Sequence, residues 1–314
     1  MCRVGVVKGE ELLRYSFPPP HPFNSARVVR FWEELGKIGM GEMEIEPERA
    51  DEEALELFHD KAHVEFVRKA STLGYGYLDD GDTPAFKGVL EAAELAVGST
   101  LSCVEKVMSG EADHGFNPVG GLHHARRDRS AGFCVFNDIG VAIETLQKEG
   151  LRRILYVDID VHHGDGVFYP FESDSGVFIF DVHEDGHFLY PGTGGEWETG
   201  EGRAEKTKVN VPLLPGEGDE RMKDILPSLE EFATRIRPEF VILQAGADGL
   251  AGDPIGGLAY SERFHSSVAR VLHRVAHDSC KGRMVALGGG GYDPGNCARA
   301  WTSVVRELVS GPEN

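Results

Sequence analysis

Two carboxylates and an imidazole occupy alternate positions in an apolar run near the middle of the chain. Residues 154–161 are otherwise aliphatic, aromatic or β-branched, which is typical of a buried strand, and Asp158, Asp160 and His162 fall two residues apart. Side chains at this spacing in a strand point to the same face. Burying these charges without partners would cost several kcal/mol for each ion, so the pattern predicts a divalent metal such as zinc, iron or manganese. The alternative is a metal-free network of hydrogen bonds between the Asp and His side chains.

Polar residues after other predicted strands could complete this metal site. Asp248 ends an apolar strand that begins at Phe240, and Asp181 ends another strand. Because ligands bind at the carboxyl ends of parallel strands, we expect these side chains to meet at one edge of a sheet. Asp160, His162 and Asp248 then supply two carboxylates and one imidazole, which leaves coordination positions open for water and a substrate carbonyl.

Groups for proton transfer and for charge stabilisation accompany the predicted ligands. The adjacent His123 and His124 can both approach one water molecule, and an imidazole suits general base or acid catalysis near neutral pH. Tyr292 follows four consecutive glycines, and we expect this run to be flexible enough to swing the phenol toward a developing oxyanion. A metal, a base and an oxyanion donor together indicate hydrolysis of an amide.

Composition argues against several classes of partner. The 314 residues carry a formal net charge of −20 without any basic run, which argues against nucleic acid or an anionic membrane as a partner. The acidity could steer a cationic substrate, or could simply keep the protein soluble. No apolar stretch is long enough for a transmembrane helix, and we interpret the N-terminal segment as lacking a signal peptide.

The cysteines and one histidine pair are interpreted as structural. The five cysteines are odd in number and scattered, which predicts a reducing cytoplasm and argues against a disulfide framework or a cysteine zinc site. Cys134 is interpreted as a small buried residue, since no activating base is dedicated to it. His59 and His63 are one helical turn apart, but no third ligand accompanies them, so we interpret the pair as packing.

Short apolar strands alternate with helical patterns along the chain. This alternation predicts an α/β fold, with a parallel sheet covered by helices on both faces. No internal repeat, low-complexity tract or interdomain linker is evident. We therefore expect residues 1–314 to form a single domain.

Six ordered motifs resemble those of the zinc-dependent histone deacetylase family, which includes acetoin-utilisation proteins and acetylpolyamine amidohydrolases. The motifs are G-L-H-H-A, G-F-C-x-F-N-D, Y-V-D-x-D-x-H-H-G-D-G, P-G-T-G, Q-x-G-A-D-x-x-x-G-D-P and G-G-G-G-Y. They extend over nearly the whole chain. The resemblance implies the arginase/deacetylase fold, a three-layer α/β/α sandwich with eight parallel strands.

The resemblance also implies a role for each matched residue. Zn²⁺, with Fe²⁺ as the alternative in the cell, would be bound by three side chains, and the catalytic groups and the substrate would be positioned around it. The implied metal ligands are Asp160, His162 and Asp248; the implied catalytic groups are His124 held by Asp165, His123 held by Asp158, and Tyr292; the implied substrate contacts are the walls Phe133 and Tyr190, the carbonyl of Gly132, and Asp82.

A monovalent cation, K⁺ or Na⁺, is implied next to the zinc site. Its ligands would be Asp158 and the backbone carbonyls of Asp160, His162 and Val182. Asp181 occupies a position that is often serine in the family. We expect this additional carboxylate to strengthen the cation site or to change its preference.

The expected reaction removes an acetyl or other short acyl group from lysine in proteins or peptides and releases acetate. Hydrolysis of acetylpolyamines or other small acetylated amines is the alternative on the same site. Ile255 is apolar where a polyamine-selective relative would be expected to carry a carboxylate, and Asp82 favours a peptide. An arginase-type ureohydrolase would need a further set of His and Asp ligands. An inactive acyl-lysine binder would not need the complete catalytic set.

Overall fold

A single parallel sheet organises the chain in the computed structural model, which describes residues 1–39 and 41–311. All paired strands run in the same direction, in the order β2-β1-β3-β8-β7-β4-β5-β6. The strands are β1 (Val4–Val7), β2 (Met43–Ile45), β3 (His114–Asn117), β4 (Ile154–Asp158), β5 (Val177–Glu184), β6 (Lys208–Leu213), β7 (Phe240–Gln244) and β8 (Met284–Leu287).

Helices connect most of the successive strands, and local sequence marks several of their starts. The Asn137 side chain accepts a hydrogen bond from the backbone N–H of Gly140, and Asp293 accepts one from Asn296, as expected of N-cap residues. Ser25 precedes the first helix without forming such a bond. The helices are α1 (Ala26–Ile38), α2 (Glu52–Leu55), α3 (Lys61–Leu73), α4 (Val89–Ser109), α5 (Asp138–Lys148), α6 (Asp165–Phe168), α7 (Met222–Ile236), α8 (Glu262–Cys280) and α9 (Pro294–Ser310).

Alternate residues of the central strands divide between two hydrophobic cores. In β4, Ile154 and Tyr156 pack into the core that contains α4 and α5, whereas Leu155 and Val157 pack into the core that contains α7, α8 and α9. All four side chains are fully buried. This division follows from the two-residue period of a strand, and it confirms the predicted sheet between two helical layers.

The structure corrects two strand predictions and adds two short strands. The strand predicted over residues 154–161 ends at Asp158, so Asp160 and His162 lie in the loop after it and not within an extended chain. β5 continues to Glu184, which puts Asp181 inside the strand. The sequence pattern does not predict β2 or β3. β2 is only three residues long, and β3, His-Gly-Phe-Asn, contains only one large apolar residue. Among the described residues, no helix combines the length and apolar character required to cross a bilayer.

Candidate active site

The loops that follow β3, β4, β7 and β8 converge at the carboxyl edge of the sheet. These strands are consecutive in the sheet order, so residues distant in sequence emerge side by side. His124 follows β3, Asp160 follows β4, Asp248 follows β7 and Tyr292 follows β8. The predicted site residues from these four loops are thereby brought to one place.

Asp160, His162 and Asp248 form a compact group of possible metal ligands. One donor atom from each residue lies within 4.8 Å of the other two, and all three side chains are buried. Nδ1 of His162 lies 2.9 Å from Oδ1 of Asp160 and 3.3 Å from Oδ2 of Asp248. Oδ2 of Asp248 is buried without a partner in hydrogen-bonding geometry. A buried carboxylate oxygen in this position is suited to coordinate a cation.

Buried hydrogen bonds fix the orientation of both carboxylates. Oδ2 of Asp160 accepts hydrogen bonds from Nε2 of Gln244, at 2.7 Å, and from the backbone N–H of Gly290, at 2.8 Å. Oδ1 of Asp248 accepts one from the backbone N–H of Val161, at 3.0 Å. Gln244 begins the Q-x-G-A-D motif, but residue type alone did not identify it as a group that orients a ligand.

Burial and neighbouring charge displace the pKa values of these groups from their usual range. Burial, and then the charge of Asp160, raise the pKa of Asp248 to about 7. Burial alone would lower the pKa of His162, but the adjacent carboxylates of Asp160 and Asp248 outweigh that effect and raise it to about 10. Without a metal, a proton on His162 therefore supplies positive charge between the two carboxylates.

The glycine run before Tyr292 is tightly packed, so the expectation that it is flexible was wrong. All four glycines, residues 288–291, are buried. A Cβ atom on Gly290 would overlap the carboxylates of Asp160 and Asp248, and one on Gly289 would overlap Gln244. The run is needed because it lets the backbone approach the candidate ligands closely.

Each of the two adjacent histidines is paired with its own carboxylate. Nδ1 of His123 lies 2.8 Å from Asp158, and Nδ1 of His124 lies 2.7 Å from Asp165. Their Nε2 atoms face each other at 3.0 Å. Arg126 donates a hydrogen bond of 2.7 Å to the second oxygen of Asp165, a contact that the sequence reading did not anticipate.

The two imidazoles have pKa values on opposite sides of neutrality. Burial would lower the pKa of His123, but the charges of Asp158 and Asp160 outweigh burial and raise it to about 9. Burial, reinforced by the charge of His123, lowers the pKa of His124 to about 4. At neutral pH, His123 is therefore a cationic proton donor and His124 is a neutral proton acceptor.

Tyr292 lies beside a narrow cavity that contains both histidines. Burial, and then the charges of Asp248 and Asp160, raise the pKa of Tyr292, so the phenol keeps its proton. Its backbone N–H donates a hydrogen bond of 2.8 Å to Asp253, another residue that the sequence reading had not selected. The cavity is lined by Phe23, Gly121, Leu122, His123, His124, Gly132, Cys134, Asp160, His162, Gly289, Gly290 and Tyr292.

Two predicted substrate-contacting rings lie close to this cavity. The Phe133 ring centre is 5.8 Å from that of Tyr292, and the Tyr190 ring centre is 5.0 Å from that of His124. Tyr190 is 44% exposed, so it can contact a molecule entering from solvent. Gly132 has a φ of 51°, and a Cβ atom there would strike the His124 ring. Its backbone therefore passes directly against the candidate base.

The other two predicted substrate contacts, Asp82 and Ile255, are not among the residues that line the narrow cavity. Asp82 is exposed and lines a surface groove together with Asp79, Gly132 and Tyr190. Ile255 is half-buried on the loop after β7, where its backbone N–H bonds to Asp253 at 2.9 Å. Ile255 does not line the narrow cavity or the surface groove in the described part of the chain.

Asp158 and Asp181 lie opposite each other on the paired strands β4 and β5. Asp181 accepts a backbone hydrogen bond from Gly164 at 2.9 Å and lies 2.6 Å from Nδ1 of His183. Burial would raise the pKa of Asp181, but His183 outweighs it and holds the pKa below its usual range. The additional carboxylate therefore has an internal partner, His183, which the sequence reading did not consider. Val182, whose backbone carbonyl is another predicted ligand of the monovalent cation, lies between Asp181 and His183 in the chain and is buried.

Two packing predictions are confirmed. Nδ1 of His59 lies 3.0 Å from the carbonyl oxygen of Arg126, and Nε2 of His63 lies 3.1 Å from that of Val135; both rings are buried. Cys134 is buried, and burial raises the pKa of its thiol, which disfavours the nucleophilic thiolate.

Comparison with known proteins identifies the family. A family model described as the histone deacetylase domain matches residues 21–308. The chain belongs to the histone deacetylase family. It is 38% identical to the acetoin utilization protein AcuC of Bacillus subtilis over 307 residues, which cover 94% of this chain and 79% of that protein. It is 32% identical to AcuC of Staphylococcus aureus over 324 residues, which cover 99% of this chain and 83% of that protein.

A solved structure of the family has the same fold. The HDA15 HD domain superposes with a TM-score of 0.89 at 29% identity, covering 99% of this chain and 90% of that chain. The arginase/deacetylase fold expected from the motifs is thus confirmed. As a histone deacetylase family member, the protein is a hydrolase that acts on acetylated amides. The family is generally metal-dependent, and the donor group of Asp160, His162 and Asp248 fits a divalent metal in ligand type and in the unpartnered oxygen of Asp248.

Proposed function

We propose that this protein is a zinc-dependent amidohydrolase that removes acetyl or other short acyl groups from lysine side chains. The observation that carries the proposal is the geometry of His123 and His124: their Nε2 atoms face each other at 3.0 Å beside the donor group, and each ring is held by its own carboxylate. A neutral His124 beside the donor group suits amide hydrolysis, because a base must take a proton from water and then deliver it to the departing amine.

Asp160, His162 and Asp248 would hold the metal. When bound, zinc polarises the acyl carbonyl and lowers the pKa of water, which is the chemistry it supplies in hydrolases. Iron in the ferrous state would suit the same two carboxylates and one imidazole. The buried and unpartnered oxygen of Asp248 supports this assignment.

His124 would act first as a general base and then as a general acid. Its Nε2 takes a proton from water as the new C–O bond forms, and returns it to the amine nitrogen as the C–N bond breaks. Asp165 fixes the ring through Nδ1, at 2.7 Å, so that Nε2 is the reactive atom. His123 stays protonated against Asp158, and the Tyr292 phenol donates a hydrogen bond to the oxyanion. The products are acetate and a free amine.

The residues around the cavity support the proposal that the substrate is an acylated lysine side chain. The rings of Phe133 and Tyr190 would flank its four methylenes, and the carbonyl of Gly132 would accept the amide N–H. Asp82, exposed on the adjacent groove, would bind the backbone of a peptide. The apolar Ile255 offers no carboxylate to a distal ammonium group, which favours acyl-lysine over an acetylated polyamine.

Small acetylated amines are the second candidate substrates. Asp79 and Asp82 line the groove next to Tyr190, and this negative charge would attract the free ammonium of an acetylpolyamine as readily as a basic peptide. The name of these relatives, acetoin utilization protein, is compatible with either a small-molecule or a protein substrate. An arginase-type ureohydrolase is disfavoured because each catalytic histidine is already paired with one carboxylate, and an inactive binder is disfavoured by the complete catalytic set.

A K⁺ or Na⁺ ion would complete the neighbourhood of the zinc site. Asp158 and the carbonyls of Asp160, His162 and Val182 would bind it, with Asp181 as an additional carboxylate. The apposition of Asp158 and Asp181 on neighbouring strands supports this proposal, because two buried carboxylates repel each other unless positive charge lies between them.

We further propose that residues 1–314 form a single deacetylase domain. We also propose that the protein acts in the cytoplasm, because its five cysteines form no disulfide bonds.

The deciding experiment compares kcat/KM for acetyl-lysine peptides with kcat/KM for acetylated spermidine and putrescine, using the zinc-loaded protein. We expect faster turnover of the peptides, with one acetate released for each amine. A matched His124→Gln protein should bind zinc equally well and turn over none of these substrates at a comparable rate. A clear preference for the polyamines would replace the first proposal with the second. Release of urea from arginine, or no acetate from any substrate, would overturn both.

A further inference from the structure

A second group of possible metal ligands lies at the opposite edge of the sheet from the candidate active site. Cys2 is separated from the first residue of β1 by Arg3 alone, and His114 is the first residue of β3. His273 and His277 are one turn apart on α8. One donor atom from each of these four residues lies within 4.8 Å of all the others. Residues from the amino ends of two strands thus meet one face of a helix.

The spacing of the donor atoms matches that of ligands around a tetrahedral ion. With Zn–S of about 2.3 Å and Zn–N of about 2.0–2.1 Å, tetrahedral geometry requires S···N distances of about 3.6 Å and N···N distances of about 3.3 Å. Sγ of Cys2 lies 3.6 Å from Nε2 of His273 and 3.4 Å from Nε2 of His277. Nε2 of His277 lies 3.4 Å from Nε2 of His114.

The three imidazole rings are arranged edge to face around a common centre. Their interplanar angles are 87° for His114 with His273, 75° for His114 with His277 and 66° for His273 with His277. Each ring directs Nε2, and not Nδ1, toward this centre. Gly282 makes room for the arrangement, because a Cβ atom there would press against the His277 ring.

Hydrogen bonding alone gives a poor account of this convergence. Nε2 of His277 faces both Sγ of Cys2 and Nε2 of His114, each at 3.4 Å, but one ring nitrogen carries either one proton or one lone pair and can form only one of these hydrogen bonds; the N···N distance is also long for such a bond.

We propose that Cys2, His114, His273 and His277 bind a structural zinc ion that is separate from the ion of the active site. One thiolate and three neutral imidazoles form a closed four-ligand set, which is typical of structural and not of catalytic zinc. On binding, the thiol of Cys2 loses its proton to solvent as the Zn–S bond forms. The ion joins the amino ends of β1 and β3 to α8. Cys2 and His277 are only partly buried, so zinc can enter from solvent.

Substitution of zinc by cobalt gives a test that reads this site alone. A thiolate bound to Co²⁺ produces a charge-transfer band in the near ultraviolet, whereas the candidate active site contains only carboxylate and imidazole ligands. We expect the protein, residues 1–314, to bind two equivalents of Co²⁺ and to show this band. Cys2→Ser should abolish the band, bind less Co²⁺ and retain its deacetylase activity. Cys280→Ser, on the same helix as His273 and His277, is the matched control and should leave the band unchanged.

Two further measurements separate this site from the active site and from simple misfolding. Asp248→Asn, which removes an active-site ligand, should keep the thiolate–cobalt band. The double variant His273→Gln/His277→Gln should lose the band, and a chelator should lower its Tm less than it lowers the wild-type Tm. Absence of the band in the wild-type protein at saturating Co²⁺ would overturn the proposal, and this result requires no variant to fold. Retention of the band in Cys2→Ser would overturn it equally.

Discussion

Nδ1 of His124 lies 2.7 Å from Oδ1 of Asp165, while Arg126 binds the other oxygen of the same carboxylate at 2.7 Å. Burial would raise the pKa of Asp165, but His124 and Arg126 outweigh it and lower the pKa to about 2. The carboxylate therefore stays ionised and holds the candidate base in one orientation across the working pH range.

Removal of the His124 imidazole should abolish most turnover without releasing the metal. General base catalysis contributes about 10²–10⁴-fold, so we expect a fall of that size in kcat for His124→Ala. Asp165→Asn should cause a smaller fall, because the ring remains but its orienting charge is lost. Steady-state kinetics with parallel metal analysis by mass spectrometry checks both variants. Wild-type kcat in His124→Ala would refute its role as base.

Tyr292→Phe should lower kcat with little change in zinc content. The phenol keeps its proton because burial raises its pKa, so it can donate a hydrogen bond to the oxyanion. Loss of one such donor costs about 10²–10³-fold in kcat. Tyr15→Phe provides a buried control, since its hydroxyl bonds to the backbone of Phe133 and Val135 and lies outside the proposed chemistry. Normal turnover by Tyr292→Phe would remove the proposed oxyanion role.

Asp248→Asn should lose active-site zinc and yet stabilise the metal-free protein. In the folded state the pKa of Asp248 is raised to about 7, well above its usual value near 3.8. The metal-free wild type should therefore lose stability as pH rises from about 4 through about 7, because the folded state resists ionisation of this carboxyl. The amide removes that loss. Thermal unfolding of the metal-free wild type and of metal-free Asp248→Asn at pH 5 and pH 8 measures this loss of stability. If the difference in Tm between the two proteins is the same at both pH values, the argument is contradicted.

A methyl group on Gly290 should disable the metal site. Its Cβ would overlap the carboxylates of Asp160 and Asp248, so Gly290→Ala should bind zinc far more weakly. Gly36→Ala is the control, since no atom lies within 4 Å of a Cβ at that helical position. Zinc affinity can be compared by competition with a chelator. Equal affinity in the two variants would show that the glycine run is not required for close packing on the ligands.

Acid should destabilise the protein partly through His59. Nδ1 of this buried ring donates to the carbonyl of Arg126 and Nε2 accepts from the N–H of Asn137, which requires a neutral imidazole. Burial and then His63 lower its pKa to about 3, whereas an unfolded histidine titrates near 6.5. The unfolded state therefore binds more protons below pH 6.5, and stability falls as pH decreases toward 3. Urea unfolding at pH 7 and pH 5 should show a shallower pH dependence for His59→Gln than for the wild type, and an equal pH dependence in the two proteins would contradict this role of His59.

The candidate ligands were predictable from sequence because chemistry and strand position coincide in them. Asp160 and His162 lie just after the apolar strand β4, and Asp248 lies just after the apolar strand β7. Gln244 and Arg126 were not selected, because an amide or a guanidinium near a motif gives no sign of its hydrogen-bond partner. β3 was missed since its stability comes from pairing with β1 and β8, and not from its own apolar pattern.

The Cys2 cluster illustrates a different limit. Cys2 and His277 are separated by 275 residues, and only the parallel sheet brings them together. A search for cysteines near each other in sequence therefore argued against a cysteine zinc site. The helical spacing of His273 and His277 was the one local signal, and it resembles that of His59 and His63, which proved to be packing.

The proton that His162 holds between Asp160 and Asp248 has a consequence for how the enzyme acquires its metal. Because the pKa of that imidazole is raised to about 10, an incoming ion must displace the proton at neutral pH. Metal uptake is then an exchange reaction: its measured heat varies with the ionisation enthalpy of the buffer, and its apparent affinity weakens as the medium becomes more acidic.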